Sequence, residues 1–163
     1  MLRQFAGLKV AAICAGLVFL AGCSSANRPD VAPQQQTAIP GSEKDFIVNV
    51  GDRIYFLVDQ STLTPEAQEV LRRQAAWLAQ YPNVTIQIEG HADERGTREY
   101  NLALSAQRAS ATREYMAGLG VNPARLSTIA YGKERPVAVC DAESCWSQNR
   151  RAVTVITGGA LAG

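Results

Sequence analysis

The chain predicts an α/β fold (an α+β sandwich), a βαβαβ mixed sheet with two main helices on one side, and three observations carry that expectation. Residues 84–88 alternate through Val84, Ile86 and Ile88, the two-residue period of a strand with one buried face. Residues 64–81 and 100–119 carry apolar side chains at helical spacing between start and stop signals. Residues 152–157 alternate again through Val153 and Val155, which supplies a closing strand. Strands and helices in this order make an open sheet layered with helices, with right-handed crossovers expected between parallel strands.

In chain order, 46–50 and 53–58 read as two short strands around a turn at Gly51-Asp52. Thr64 is placed to cap a helix, with Pro65 at its first position and Glu66 in its first turn, each suited to the unpaired amides there. Ala67, Val70, Leu71, Gln74, Leu78 and Tyr81 follow the helical period until Pro82-Asn83 ends it. A strand at 84–89 leads into a polar, glycine-bearing loop, and the next helix, 100–119, stops at Gly118 and Gly120. Residues 123–125 read as a helical turn and 126–131 as a strand, while 142–150 is ambiguous, a short helix carrying Trp146 being one reading.

The ends of the chain predict where it resides. Arg3 and Lys9 flank an apolar run at 10–20, short for a bilayer span but suited to the core of a secretory leader. Leu20-Ala21-Gly22-Cys23 resembles a lipobox, so residues 1–22 are expected to be removed and Cys23 to become an acylated first residue. The alternative is ordinary cleavage that leaves Cys23 a spare thiol. More than one acyl chain gives stable anchoring where a single chain is marginal, and Ser24 after the cysteine favours the outer membrane's inner leaflet by the sorting rule of bacterial lipoproteins. Loss of Arg3 and Lys9 takes the 16 basic residues to 14 against 15 acidic, a formal balance of −1 that gives nucleic acid no purchase.

Residues 23–45 read as lipidated cysteine plus linker, because Pro29, Pro33, Gln34, Gln35, Gln36, Pro40 and Gly41 replace the large apolar residues a core needs. Residues 46–157 form the folded domain and 158–163 a tail. Cys14 leaves with the leader, so Cys140 and Cys145 remain as a pair in an oxidising compartment. A disulfide is expected; it requires a turn through 141–144 and closes a loop so short that it contributes only about 2 kcal/mol. A zinc site would need more ligands than the single histidine, His91, supplies.

The chemistry concentrates at 90–109. Asn101 and Arg108 lie seven residues apart on one helical face, roughly 10 Å along the axis, and Asp93 follows a strand end. Such a carboxylate facing such a guanidinium suits a ligand with an ammonium and a carboxylate on one carbon. A structural ion pair is the competing reading. His91 is read as a hydrogen-bonded strand-end residue, and Trp77 and Trp146 as packing or partner surfaces.

Gly-His-Ala-Asp-x-x-Gly at 90–96, followed by Asn-x-x-Leu-Ser-x-x-Arg-Ala at 101–109, resembles the peptidoglycan-binding domain at the C-terminus of outer-membrane protein A. The resemblance covers about 54–155. It implies an OmpA-like domain whose ligand is the meso-diaminopimelate of the wall's stem peptide, with Asp93 and Arg108 as main contacts. Asp59, the backbone of Ala92 and Gly96, Asn101, and Arg151 or Asn149 would complete the site. Leu57 and Val58 depart from the family's pattern beside Asp59. Glu94 and Arg95 become candidate partner contacts.

The resemblance further implies a non-enzymatic lipoprotein at the periplasmic face of the outer membrane, without cofactor or metal. It would hold peptidoglycan and belong with TolB and TolA to the Tol system of envelope integrity and cell division; the alternative is a wall anchor without Tol partners. A wall hydrolase or transpeptidase would require a base beside an activated nucleophile or a set of zinc ligands, and His91 is the only histidine. A flagellar stator domain would require a retained transmembrane helix. Replacing Asp93 or Arg108 is expected to abolish wall binding with little change in melting.

Overall fold

The computed structural model describes residues 38–162. The leader, Cys23 and the linker up to residue 37 lie outside the described residues.

Four strands form one sheet in the order β1-β4-β2-β3, from β1 (Arg53–Tyr55), β2 (Thr85–Gly90), β3 (Leu126–Ala130) and β4 (Arg151–Gly158). β2 and β3 run parallel, with Ile88 opposite Thr128, and β4 is antiparallel to both β2 and β1. The parallel pair requires a crossover, which α3 (Arg98–Gly118) supplies. The alternation at 84–88 is seen directly: Val84, Ile86 and Ile88 are buried, while Thr85, Gln87 and Glu89 are partly exposed. The buried face joins Leu71, Ala75 and Leu78 of α2 (Pro65–Gln80) and Ala109 and Met116 of α3 in one apolar core. At its centre Gln74 is satisfied, donating to the Gly51 carbonyl and accepting from the Thr154 hydroxyl.

The helices begin where their residues dictate. Thr64 accepts from the amide of Ala67, and Thr97 from that of Tyr100, which starts α3 two residues before the expected 100. Arg125 caps the other end of α2, donating to the carbonyls of Leu78, Tyr81 and Val84. Gly90 lets α3 approach the sheet, since a Cβ there would lie 1.9 Å from the Ser105 carbonyl oxygen.

Residues 46–50 are not a strand. They form a π-helical turn that continues α1 (Glu43–Asp45), and 53–58 keeps strand geometry only to Tyr55. The β-branched Ile47 and Val48 suggest a strand, but both are exposed, while Phe46 enters the core and half-buried Val50 packs against it. The determinant is Asp45, whose carboxylate accepts from the Trp77 indole, the Asn49 amide and the Gly41 amide. Phe46 and Tyr81 both stack against Trp77, which is thereby a packing residue. The last part of the expected linker is therefore fastened to α2. The expected tail is also held, because the Leu161 amide donates to the Gly41 carbonyl.

Candidate functional site

A cavity of about 350 Å³ opens where the loop after β1, the loop after β2 and the first turns of α3 meet. Asp59, Asp93, Gly96, Asn101 and Arg108 all line it, together with Val58, Arg95, Tyr100 and Leu104. Residues far apart in sequence are thus brought to one opening.

Arg108 forms its floor and is fully buried. Its guanidinium donates from Nε to the Gln60 carbonyl at 2.9 Å, from Nη1 to the His91 carbonyl at 2.9 Å and from Nη2 to the Leu57 carbonyl at 3.2 Å. It also lies 5.2 Å from the centre of the Phe56 ring. Burial pushes its pKa down to about 10, against which Asp93 and Asp59 favour the charged form. Both terminal nitrogens keep a second N–H, so the side chain can fasten two loops and still present donors to an anion.

Asp93 does not face Arg108 across empty space. Its Oδ2 accepts from Arg95 Nη2 at 2.6 Å and from Arg150 Nη1 at 3.3 Å, and its Oδ1 accepts from the Arg95 amide at 3.2 Å. Burial raises its pKa, but the hydrogen bonds from Arg95 and Arg150 outweigh it and hold the carboxyl below its ordinary range. The competing reading, a direct ion pair with Arg108, is not what forms: Asp93 pairs with these two arginines instead.

The loop after β2 is fixed by donors from outside it. Asn101 donates to the Arg95 carbonyl, and Lys133 Nζ donates to the carbonyls of Glu94 and Gly96. Gly96 sits at φ +90°, where a side chain would be strained. Asp59 also has positive φ, at 58°, a conformation asparagine and aspartate tolerate better than most residues. Val58, a departure from the family pattern, lines the cavity, whereas Leu57 contributes its carbonyl to Arg108 and leaves its side chain exposed.

Three expected site residues lie elsewhere. The Ala92 amide is taken by the Gly132 carbonyl at 2.8 Å and is not directed at the opening. Arg151 is buried and donates to the carbonyls of Arg135 and Asn149. Asn149 braces the chain at Val137 and Ala138. The supporting arginine is the neighbour, Arg150, which also bonds the Phe56 carbonyl and Glu143. Successive side chains of extended backbone point to opposite sides, so the Arg150-Arg151 pair could place only one of them at the site.

The His91 ring is not hydrogen-bonded as expected. Neither buried ring nitrogen has a hydrogen-bond partner among the described residues, although Glu89 Oε2 lies 3.6 Å from Nε2, and the backbone is bonded to Arg151 and Arg108. Burial, then the charges of Arg151 and Arg135, pushes its pKa down to about 4. Cys140 and Cys145 are joined by a disulfide with Cα atoms 5.7 Å apart, at the start of α4 (Glu143–Asn149). Among the described residues no group of histidine, cysteine, aspartate and glutamate is arranged to hold a metal ion, and no helix is long and apolar enough to cross a membrane.

Residues 55–151 match the model of the OmpA family. The peptidoglycan-associated lipoprotein of Agrobacterium fabrum is 57% identical over 148 residues, covering 87% of this chain and 84% of its own. This chain belongs to the OmpA family, among its peptidoglycan-associated lipoproteins. The crystal structure of the peptidoglycan-associated lipoprotein from Burkholderia pseudomallei superposes with a TM-score of 0.63 at 42% identity, over 65% of this chain and 90% of that one. The C-terminal domain of Helicobacter pylori MotB matches with a TM-score of 0.62 at 24% identity, over 66% of this chain and 84% of that one, a likeness of fold alone. That likeness carries the fold and not the function.

Proposed function

We propose that this lipoprotein binds peptidoglycan without covalent chemistry, by gripping the zwitterionic end of meso-diaminopimelate in the cavity between β1, β2 and α3. The observation that carries this reading is the convergence of Asp93, Asp59, Asn101 and Arg108 on one opening of about 350 Å³. The ligand carboxylate would take the spare N–H groups of Arg108, and its ammonium would sit against Asp93. A ligand with only one of these charges would meet only one of the two partners, which selects a headgroup with both charges close together. The same reading extends to the N-terminus: acylated Cys23 in the outer membrane, a linker, and a wall-binding domain facing the periplasm. With residues 41–45 fastened to α2, a linker from 24 to 40 would reach roughly 55–60 Å if fully extended.

The envelope role follows as part of this proposal. Through TolB and TolA the protein would act in the Tol-Pal system, coupling outer membrane to wall during division. Co-sedimentation with purified sacculi tests the central reading: the chain is expected in the pellet, released by excess diaminopimelate muropeptide and not by its lysine counterpart. Soluble wall fragments appearing without prior treatment would point to hydrolysis instead. Mass spectrometry of the mature N-terminus tests the lipid on Cys23.

A further inference from the structure

Asp93 carries two guanidinium groups on one oxygen, and they differ in kind. Arg150 is 5% exposed and is committed to the Phe56 carbonyl on the interior side and to the exposed Glu143 on the other. Arg95 is 39% exposed and occupies the solvent side of Asp93. Its side chain spends its strong bond on Asp93 alone, with Glu143 only at 3.9 Å.

The rest of Arg95 is supported by a platform with no part in the grip on the ligand. Its guanidinium lies 4.2 Å from the centre of the Trp146 ring, which stacks and attracts the cation at once. Trp146 is itself oriented by donation of its indole N–H to Glu94 Oε1 at 2.8 Å. It rides on α4, whose start is stapled by the Cys140–Cys145 bridge.

We propose that Arg95 is the resident counter-cation of Asp93, and that the ligand binds by exchange, its ammonium displacing the Arg95 guanidinium from Asp93 and from the Trp146 face that holds it there. The inference rests on the reading of the cavity as a zwitterion site and adds the residue that sets its affinity. A carboxylate so little exposed is costly to leave short of partners, and the resident cation meets that need when no ligand is present. The exchange also sharpens selection. A ligand with only a carboxylate reaches Arg108 but cannot displace Arg95. One with only an ammonium must compete with a cation already tethered to the same loop, at a high effective concentration.

The test is binding of a diaminopimelate-containing muropeptide to the purified full-length chain by calorimetry and stopped-flow, comparing wild type, Arg95→Met, Trp146→Ala and Asp93→Asn. Methionine keeps the stem and removes the cation. Arg95→Met is expected to bind about two- to fivefold tighter and to associate faster, the scale of one partly exposed ion pair no longer broken on binding. Trp146→Ala is expected to move the same way by less, and Asp93→Asn to abolish binding. Melting curves keep the comparison to folded protein. Arg95→Met binding as well as wild type or more weakly would overturn the exchange and make Arg95 a bystander or a direct ligand contact, while leaving the cavity reading intact. No binding by wild type and Arg95→Met alike would overturn the cavity reading and the exchange together.

Discussion

Replacing Arg108 by methionine tests whether this residue is a ligand contact, a structural fastener, or both. The side chain is fully buried, and its loss strands the carbonyl oxygens of His91 and Gln60, which now accept at 2.9 Å each, and leaves that of Leu57 with the Gln60 amide alone. A buried acceptor left unpaired costs about 1–3 kcal/mol. The His91 carbonyl is enclosed and bears the full cost, whereas the Gln60 and Leu57 carbonyls lie in a loop that water can reach. Methionine also relieves the penalty of burying a charge, visible in the lowered pKa of Arg108. The balance is a loss of about 3 kcal/mol, which lowers the melting temperature by roughly 10–15 °C for a domain of this size. The assay is calorimetric melting beside sacculus binding. A melting shift within about 3 °C would refute the fastening role and restore the expectation from sequence, in which the substitution touches binding alone.

Asp93→Asn is expected to remove sacculus binding while lowering the melting temperature much less than Arg108→Met, because an amide can still accept from the Arg95 backbone; equal losses of stability would contradict the different roles assigned to the two residues. For His91, the unfolded ring takes up a proton near 6.5 and the buried ring only near 4. Stability should therefore be complete above pH 6.5 and fall by about 3 kcal/mol as the pH drops to 4; urea titrations across that range should show this fall, with a flatter profile in His91→Asn. Gly90→Ala would bring its Cβ within 1.9 Å of the Ser105 carbonyl oxygen and push α3 from the sheet, costing about 2–3 kcal/mol by denaturant unfolding. The double variant Cys140→Ser, Cys145→Ser should lose about 2 kcal/mol and still pellet with sacculi, and intact stability would show that the bridge constrains nothing.

How much of this could be read beforehand depended on whether local pattern and tertiary demand agreed. At 84–88 they agree, because one face of the strand meets the core and the other meets solvent, so the period is written in the residues. At 46–50 they conflict: the composition is that of a strand, but Asp45 bonds Trp77 thirty-two positions away and holds the segment as a helical turn. No pattern within the segment reports that bond. The cavity residues were legible for a different reason, since Asp93, Gly96, Asn101 and Arg108 belong to one short motif on either side of a strand-to-helix loop. Arg95 belongs to the same motif, yet only geometry shows it lying on Trp146 and closing Asp93 to solvent.

The two charged residues that look equivalent in sequence are unequal in the fold. Arg108 is bound by three carbonyls and cannot move without loosening two loops, so its remaining donors are set before any ligand arrives. Asp93 is equally well placed, but its exposed side is taken by a guanidinium on a loop held to α3 through Asn101 and to Lys133 through two carbonyls. In the proposed grip the side that takes the anion is therefore rigid, and the side that takes the cation is rigid and held by Arg95. Binding energy at the first is available directly, whereas at the second it is the difference between two cations on one carboxylate, a small quantity that loop residues can adjust. Variation at positions 94, 95 and 146 should accordingly move affinity by small factors in either direction, and variation at 93 and 108 should only destroy it.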